Sequence, residues 1–223
     1  MATTVAKIIE EVSFIANDED QIRWPKDKLV TYFNDAIKAL IIRRPDSSVG
    51  DGEFICKAGT KQIGPDDMHR LIDIPMNIDG QAIQGPYDRK ILDDMDPSWR
   101  STTGELEAEL FTYDERNPKS FGIYPGVADG TKLNIIYSKL PVEVTQVQID
   151  DADNPATTGV EELWNNALID WMLYRCYSKD AEYTANANRA MLHLNAFRTA
   201  IGDKSQSDKN MTSQSRERTI KKE

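Results

Sequence analysis

Apolar residues recur at helical spacing from Thr158 to Ile201, and no other stretch constrains the fold as strongly. Thr158 and Glu161 fit a T-x-x-E capping box, in which each side chain satisfies a backbone N–H left over at a helix start. Val160, Leu163, Ala167, Trp171 and Tyr174 then follow at intervals of three and four, and Trp164, Leu168 and Met172 widen the stripe. Ser178-Lys179-Asp180 interrupts the pattern, and Asp180 can cap a second helix. In that helix Tyr183, Ala187, Ala190, Leu194, Phe197 and Ile201 form the apolar face. Ala181, Ala185, Ala196 and Ala200 keep it slim, and Gly202 supplies a stop. The spacing predicts helices over 159–178 and 181–201, folded as a hairpin. Neither helix carries a catalytic set, so the pair reads as scaffold.

The N-terminal end has the same grammar. Thr3 or Thr4 can cap a helix over 4–16, with Val5, Ile8, Val12 and Ile15 on one face. A solvated turn at Asn17-Asp18-Glu19-Asp20 leads to Trp24-Pro25, and proline suits the first position of a helix because its missing N–H is unpaired there anyway. Leu29, Phe33, Ala36 and Leu40 carry that helix over 26–43, and Arg44-Pro45 ends it, because proline drives the preceding residue out of the α region. The four helices are expected to share one core, with Trp171 and Leu194 buried in it.

Between them the pattern changes to short strands and turns. Glu53–Lys57, Leu71–Ile74, Tyr87–Leu92, Leu106–Tyr113, Ser120–Tyr124 and Thr131–Ser138 are the strand candidates. Gly59-Thr60-Lys61, Asp79-Gly80 and Asp129-Gly130 read as turns, and Pro75 confines its strand to an edge or an ending. Asp93 to Gly104 reads as a loop in which Trp99 is either packed or presented to a partner. The fold class is therefore α+β: a helical bundle built from both chain ends, a β-rich insertion and an extended C-terminal tail. The divisions are a helical pair at 1–50, the insertion at 51–150, the hairpin at 151–203 and a flexible basic tail at 204–223.

Charge and motifs narrow the function. A formal net charge of −10 argues against a general nucleic-acid binder, which carries a basic face. Cys56 and Cys176 lie far apart with no Cys-x-x-Cys spacing and read as two buried thiols. No apolar run approaches the roughly 18 residues of a membrane span, and the start lacks a signal peptide's pattern, which points to folding in a cytoplasm. No phosphate loop, dinucleotide fingerprint or H-E-x-x-H string occurs. His69 and His193 have no partner at ligand spacing, and Asp151-x-Asp153 with Glu162 lacks the central residues of a calcium loop. The expectation is a protein with no catalytic residues, no metal and no cofactor. After Gly202 the chain is polar, with six Lys or Arg against three Asp or Glu over 204–223. It is either an inert disordered tail or an arm that orders on a partner.

An ordered set of short strings carries a resemblance. It runs through Arg23-Trp24-Pro25, Tyr32-Phe33-Asn34-Asp35-Ala36, Arg44-Pro45-Asp46, Gly59 to Pro65, Leu71 to Ile74, Asn77 to Ile83, Asp88-Arg89, Leu92-Asp93 and Pro97-Ser98-Trp99. It ends with Phe121-Gly122-Ile123-Tyr124-Pro125 and Ile136-Tyr137-Ser138. The set resembles the head-to-tail adaptors, or connectors, of tailed bacteriophages. That resemblance implies a structural virion protein forming a closed ring of about twelve copies. A portal protein would sit above it, a tail or nozzle protein below, and genomic DNA would pass through without specific binding. It implies a location in the neck of the virion after assembly in the host cytoplasm, with no membrane involved. A maturation hydrolase or nuclease and a non-virion interaction module are the competing readings.

Two groups of residues are the site candidates. Asp93, Asp94, Asp96, Asp150, Asp151 and Asp153 are candidates for the channel lining, where repeated acids would repel DNA phosphate. Lys209, Met211, Arg216, Arg218, Ile220, Lys221 and Lys222 are candidates for the portal interface.

Overall fold

The computed structural model describes residues 3–179 and 182–211, with side chains as far as 202. Apart from one short helix between β-strands, helices and strands are segregated along the chain rather than alternating, which makes the fold α+β. Helix α1 (Val5–Ile15) is capped by Thr4, whose hydroxyl accepts from the Lys7 N–H at 3.4 Å. The following turn is organised by Asp18, whose carboxylate accepts the N–H groups of Ile22, Arg23 and Trp24 at 2.9–3.1 Å. That aims Trp24 into the interior and starts α2 (Lys26–Arg43) after Pro25. Arg44 ends α2 at φ −130°, ψ 77°, as the residue before a proline must.

A buried cluster joins both chain ends. It takes Ile8 and Val12 from α1, Leu29, Phe33 and Leu40 from α2, and Leu168, Met172 and Cys176 from α5 (Asn165–Lys179). Ala190, Phe197 and Ile201 come from α6 (Thr184–Met211). Trp24 packs edge-on against Tyr177, centroids 5.8 Å apart, and Trp171 lies 4.9 Å from Phe197. Trp171 and Leu194 are half-buried rather than buried.

A second cluster belongs to the strands. One sheet has the order β1 (Val49–Ile55), β6 (Lys132–Lys139), β3 (Met68–Asn77), and the other β2 (Gly59–Ile63), β5 (Ser120–Val127), β4 (Leu110–Tyr113). All pairings are antiparallel. Leu71, Ile74, Leu133 and Ile135 of the first sheet share their core with Phe111, Phe121 and Ile123 of the second. Pro75 sits on edge strand β3, where the ladder shifts register. Asn34 ties the segment after β6 to α2, donating to the Val144 carbonyl at 2.9 Å and accepting its N–H at 3.0 Å.

Several local expectations give way to the structure. Tyr87–Leu92 is not a strand: Asp88 accepts the Lys90 N–H at 2.9 Å and starts α3 (Arg89–Met95), whose buried residue is Leu92. Gly59-Thr60-Lys61 opens β2 instead of making a turn, with Gly59 at φ 104° marking a register shift. The strand expected from Leu106 begins only at Leu110. Thr158 and Glu161 form no capping box; the Thr158 hydroxyl donates to the Val160 carbonyl at 3.1 Å, and a 3-10 turn at Glu162–Trp164 precedes α5. Leu163 is consequently exposed. Tyr183, assigned to an apolar face, is 71% exposed and supplies the carbonyl that receives the first N–H groups of α6. Gly202 does not stop α6, which continues to Met211. A single glycine costs a helix only about 1 kcal/mol, and no proline follows to end it. The proposed cap Asp180 lies outside the described residues.

Candidate interaction surfaces

The six candidate acids fall into two separate places. Asp93, Asp94 and Asp96 lie at the end of α3. Asp93 accepts the Trp99 indole N–H at 2.7 Å and pairs with the Arg100 guanidinium, one bond of which is 3.0 Å. The Arg100 hydrogen bond, and then that of Trp99, holds its carboxyl below the ordinary carboxylate range. Asp96 accepts from the Ser98 N–H and hydroxyl at 2.9 and 2.7 Å. Trp99 is thereby packed, 3% exposed. Asp150 pairs with Lys26, and Asp151 accepts the N–H groups of Asp153 and Asn154 at 3.0 and 3.1 Å in the loop after α4 (Gln146–Asp150). Asp93, Asp96, Asp150 and Asp151 thus hold local structure together, while Asp94 and Asp153 are exposed.

Of the portal candidates, Lys209 and Met211 lie on the last turns of α6. Arg216, Arg218, Ile220, Lys221 and Lys222 lie outside the described residues. His193 is an α6 residue whose Nδ1 lies 2.9 Å from the Asp170 carboxylate of α5 and whose ring stacks on Tyr177 at 5.8 Å, so its role is to join two helices. Among the described residues no group of three or more His, Cys, Asp or Glu is placed to hold a metal.

Two further features emerge only in three dimensions. The first is a cavity of about 400 Å³ beside β2 and β5. Trp99, Phe121 and Gly122 line its wall, and Lys61, Arg89 and Arg100 contribute three cations. Lys61 faces Gly122 across the β2–β5 ladder, Arg89 opens α3, and Arg100 is held by Asp93. Lys61 and Arg89 make no ion pair among the described residues. Thr112 also lines the cavity, and its Oγ1 is buried without a hydrogen-bond partner among the described residues. Glycine at 122 lets the Thr112 side chain pack against the strand, because a Cβ there would lie 2.5 Å from that oxygen.

The second feature is the Gly104–Glu109 loop. Glu105, Leu106, Glu107 and Glu109 are exposed, Leu106 at 82%. The backbone is nonetheless pinned. The Glu105 N–H donates to the Gly126 carbonyl at 3.2 Å, the Ala128 N–H to the Glu105 carbonyl at 2.7 Å, and the Glu109 N–H to the Tyr124 carbonyl at 2.8 Å. Buried Asn77 adds two bonds to the Ala108 backbone, each 2.8 Å. Sequence reasoning missed both features. The three cations lie on unrelated segments, and a leucine among glutamates resembles the start of an alternating strand.

A family model described as SU10 adaptor protein matches residues 3–219. A search of curated proteins returns no match.

Proposed function

From the premise that the chain belongs to the SU10 adaptor protein family, a family of structural phage adaptors, we propose that it forms a closed ring between the portal vertex and the tail. The observation that carries this reading is the extent of the family match, which spans both the helical part and the β-rich part of the chain. In this proposal the chain is a virion neck component of about twelve copies, its helical bundle packed on a β-rich insertion. It contacts a portal protein above and a tail or nozzle protein below. DNA passes through the lumen without specific binding. The net charge of −10 per copy, repeated around a ring, supports passage without adhesion because acidic walls repel phosphate.

The C-terminal end is proposed to reach the portal. Helix α6 continues from buried Ile201 to Met211, a helical rise of about 15 Å. Lys209, Arg216, Arg218, Lys221 and Lys222 would then meet acidic portal residues, with Met211 and Ile220 in small apolar pockets. The test compares portal binding by the full chain with binding by chains ending at Gly202 and at Met211. Both truncated chains should keep the melting transition of the full chain, because Phe197 and Ile201 remain. The chain ending at Gly202 should bind portal at least about 30-fold more weakly, the loss of a few hot-spot contacts. Full-strength binding by that chain would refute the assignment.

A further inference from the structure

We propose that the Gly104–Glu109 loop of one copy docks into the cationic cavity of Lys61, Arg89 and Arg100 on a second copy, so that this loop and cavity form the contact between neighbours in the ring. The inference rests on the ring reading above and assigns it a specific surface. A lone exposed leucine is ordinary on a protein surface and by itself argues nothing. Three observations together make Leu106 different.

The loop is rigid before it meets a partner. Its backbone is fastened along β5 from Tyr124 to Ala128, and Asn77 holds Ala108 from below. Presenting an already ordered apolar side chain avoids the entropy normally lost when a loop is immobilised on binding.

The two surfaces match in chemistry. The loop offers an apolar tip flanked by carboxylates, Leu106 between Glu105 and Glu107. The cavity offers an apolar wall of Trp99, Phe121 and Gly122, with the cations of Lys61, Arg89 and Arg100 around it. Lys61 makes no ion pair among the described residues, and Arg89 acts on Asp93 and Asp114 only through space, with no ion pair to displace. The protein as a whole is acidic, so a concave site that carries Lys61 and Arg89 beside the Asp93-paired Arg100 is a local excess of positive charge that favours an acidic protein segment. DNA fits less well: it would have to approach a body whose net charge repels it.

The loop does not serve its own cavity. Within one chain the loop stays out of the cavity: Leu106 is 82% exposed, and among the described residues no ion pair joins Glu105 or Glu107 to Lys61, Arg89 or Arg100. A convex patch and a concave patch at different places on one chain make a head-to-tail contact, the kind that closes into rings.

The test is a pair of charge reversals in the full-length protein, with assembly followed by native mass spectrometry, alone and with portal present. One variant carries Lys61→Glu and Arg89→Glu, the other Glu105→Lys and Glu107→Lys. All four positions are exposed, and unchanged circular dichroism melts confirm that each variant folds. Each variant alone now opposes like charges and should associate at least about 30-fold more weakly than wild type. An equimolar mixture should regain assembly, because every loop then meets a cavity of opposite sign in an alternating array. Leu106→Asp, which leaves the cations in place, should also disperse the assembly. Wild-type rings that survive all of these changes overturn the proposed contact and leave the ring reading standing. So does a loss of portal binding from the cavity variant while its self-association persists, because the occupant would then be an acidic portal segment. Wild-type protein that remains monomeric with and without portal overturns both readings.

Discussion

Phe197→Ala is the most direct probe of how α6 is held. Phe197 is fully buried, its ring 4.9 Å from Trp171 and tilted by 55°, with the Arg43 guanidinium carbon 5.7 Å from its centre. Three helices, α2, α5 and α6, therefore meet at one side chain. Trp171 cannot simply swing into the space left behind, because its other side rests on Tyr174 at 5.4 Å. A cavity lined by such fixed neighbours places the cost at about 3–5 kcal/mol, the usual range for removing a buried phenyl ring. Unfolding entropy of about 2.1 cal/mol/K per residue gives about 0.47 kcal/mol/K for a chain of 223 residues, so the melting temperature should fall by about 6–11 °C. Leu192 on the same helix is 66% exposed and serves as the control; Leu192→Ala should change stability by less than about 0.5 kcal/mol. Thermal melts followed by circular dichroism at 222 nm read both. A shift below about 2 °C for Phe197→Ala, or equal shifts for the two variants, would refute the packing assigned to α6.

Asn77→Ala should cost about 1–3 kcal/mol in chemical denaturation, because it strands the Ala108 N–H and carbonyl that the buried amide now satisfies. The Asp93 carboxyl is depressed by Arg100 and Trp99, so its contribution is complete at neutral pH and is lost only as pH falls through that lowered value. The Trp99 indole N–H resonance should titrate with a midpoint below that of an ordinary aspartate, whereas Asp93→Asn should shift it at neutral pH. A resonance that titrates at the ordinary value would show the pairing with Arg100 to be absent.

The sequence made parts of this architecture legible and hid others for identifiable reasons. Helices α1 and α2 announce themselves because their apolar stripes end up against one cluster and proline marks both ends of α2. Helix α6 is harder, since Met191 and Leu192 stand in solvent beside buried Ala190 and the pattern does not separate the faces. Strand β2 escaped notice because its buried positions are polar. Thr60 and Gln62 face inward, and the Gln62 amide is satisfied by Lys57 and Gly59 rather than by a core partner. The Tyr87–Leu92 stretch has the β-branched and aromatic content of a strand, yet one carboxylate, Asp88, turns it into a helix.

The cationic cavity was the least legible feature, and the cause bears on how it works. Lys61 comes from β2, Arg89 from the first turn of α3, and Arg100 from a turn that Asp93 holds in place. Composition gives only the net charge of −10, an average that conceals a positive concavity. From sequence Asp93 counts among the acids expected to line a channel. In the structure it spends its charge inside the chain, holding Arg100 at the cavity and Trp99 in its wall. An acid in such a role does not add to the field of a lumen as a free one does, because its partner cation cancels it beyond a few ångströms. On the proposed ring reading, exposed acids such as Asp94 and Asp153, which carry no such anchor, are the candidates for repelling DNA from the wall. If that placement holds, Asp94→Asn with Asp153→Asn should slow DNA ejection from assembled particles more than Asp93→Asn does, and equal ejection rates for the two would refute it.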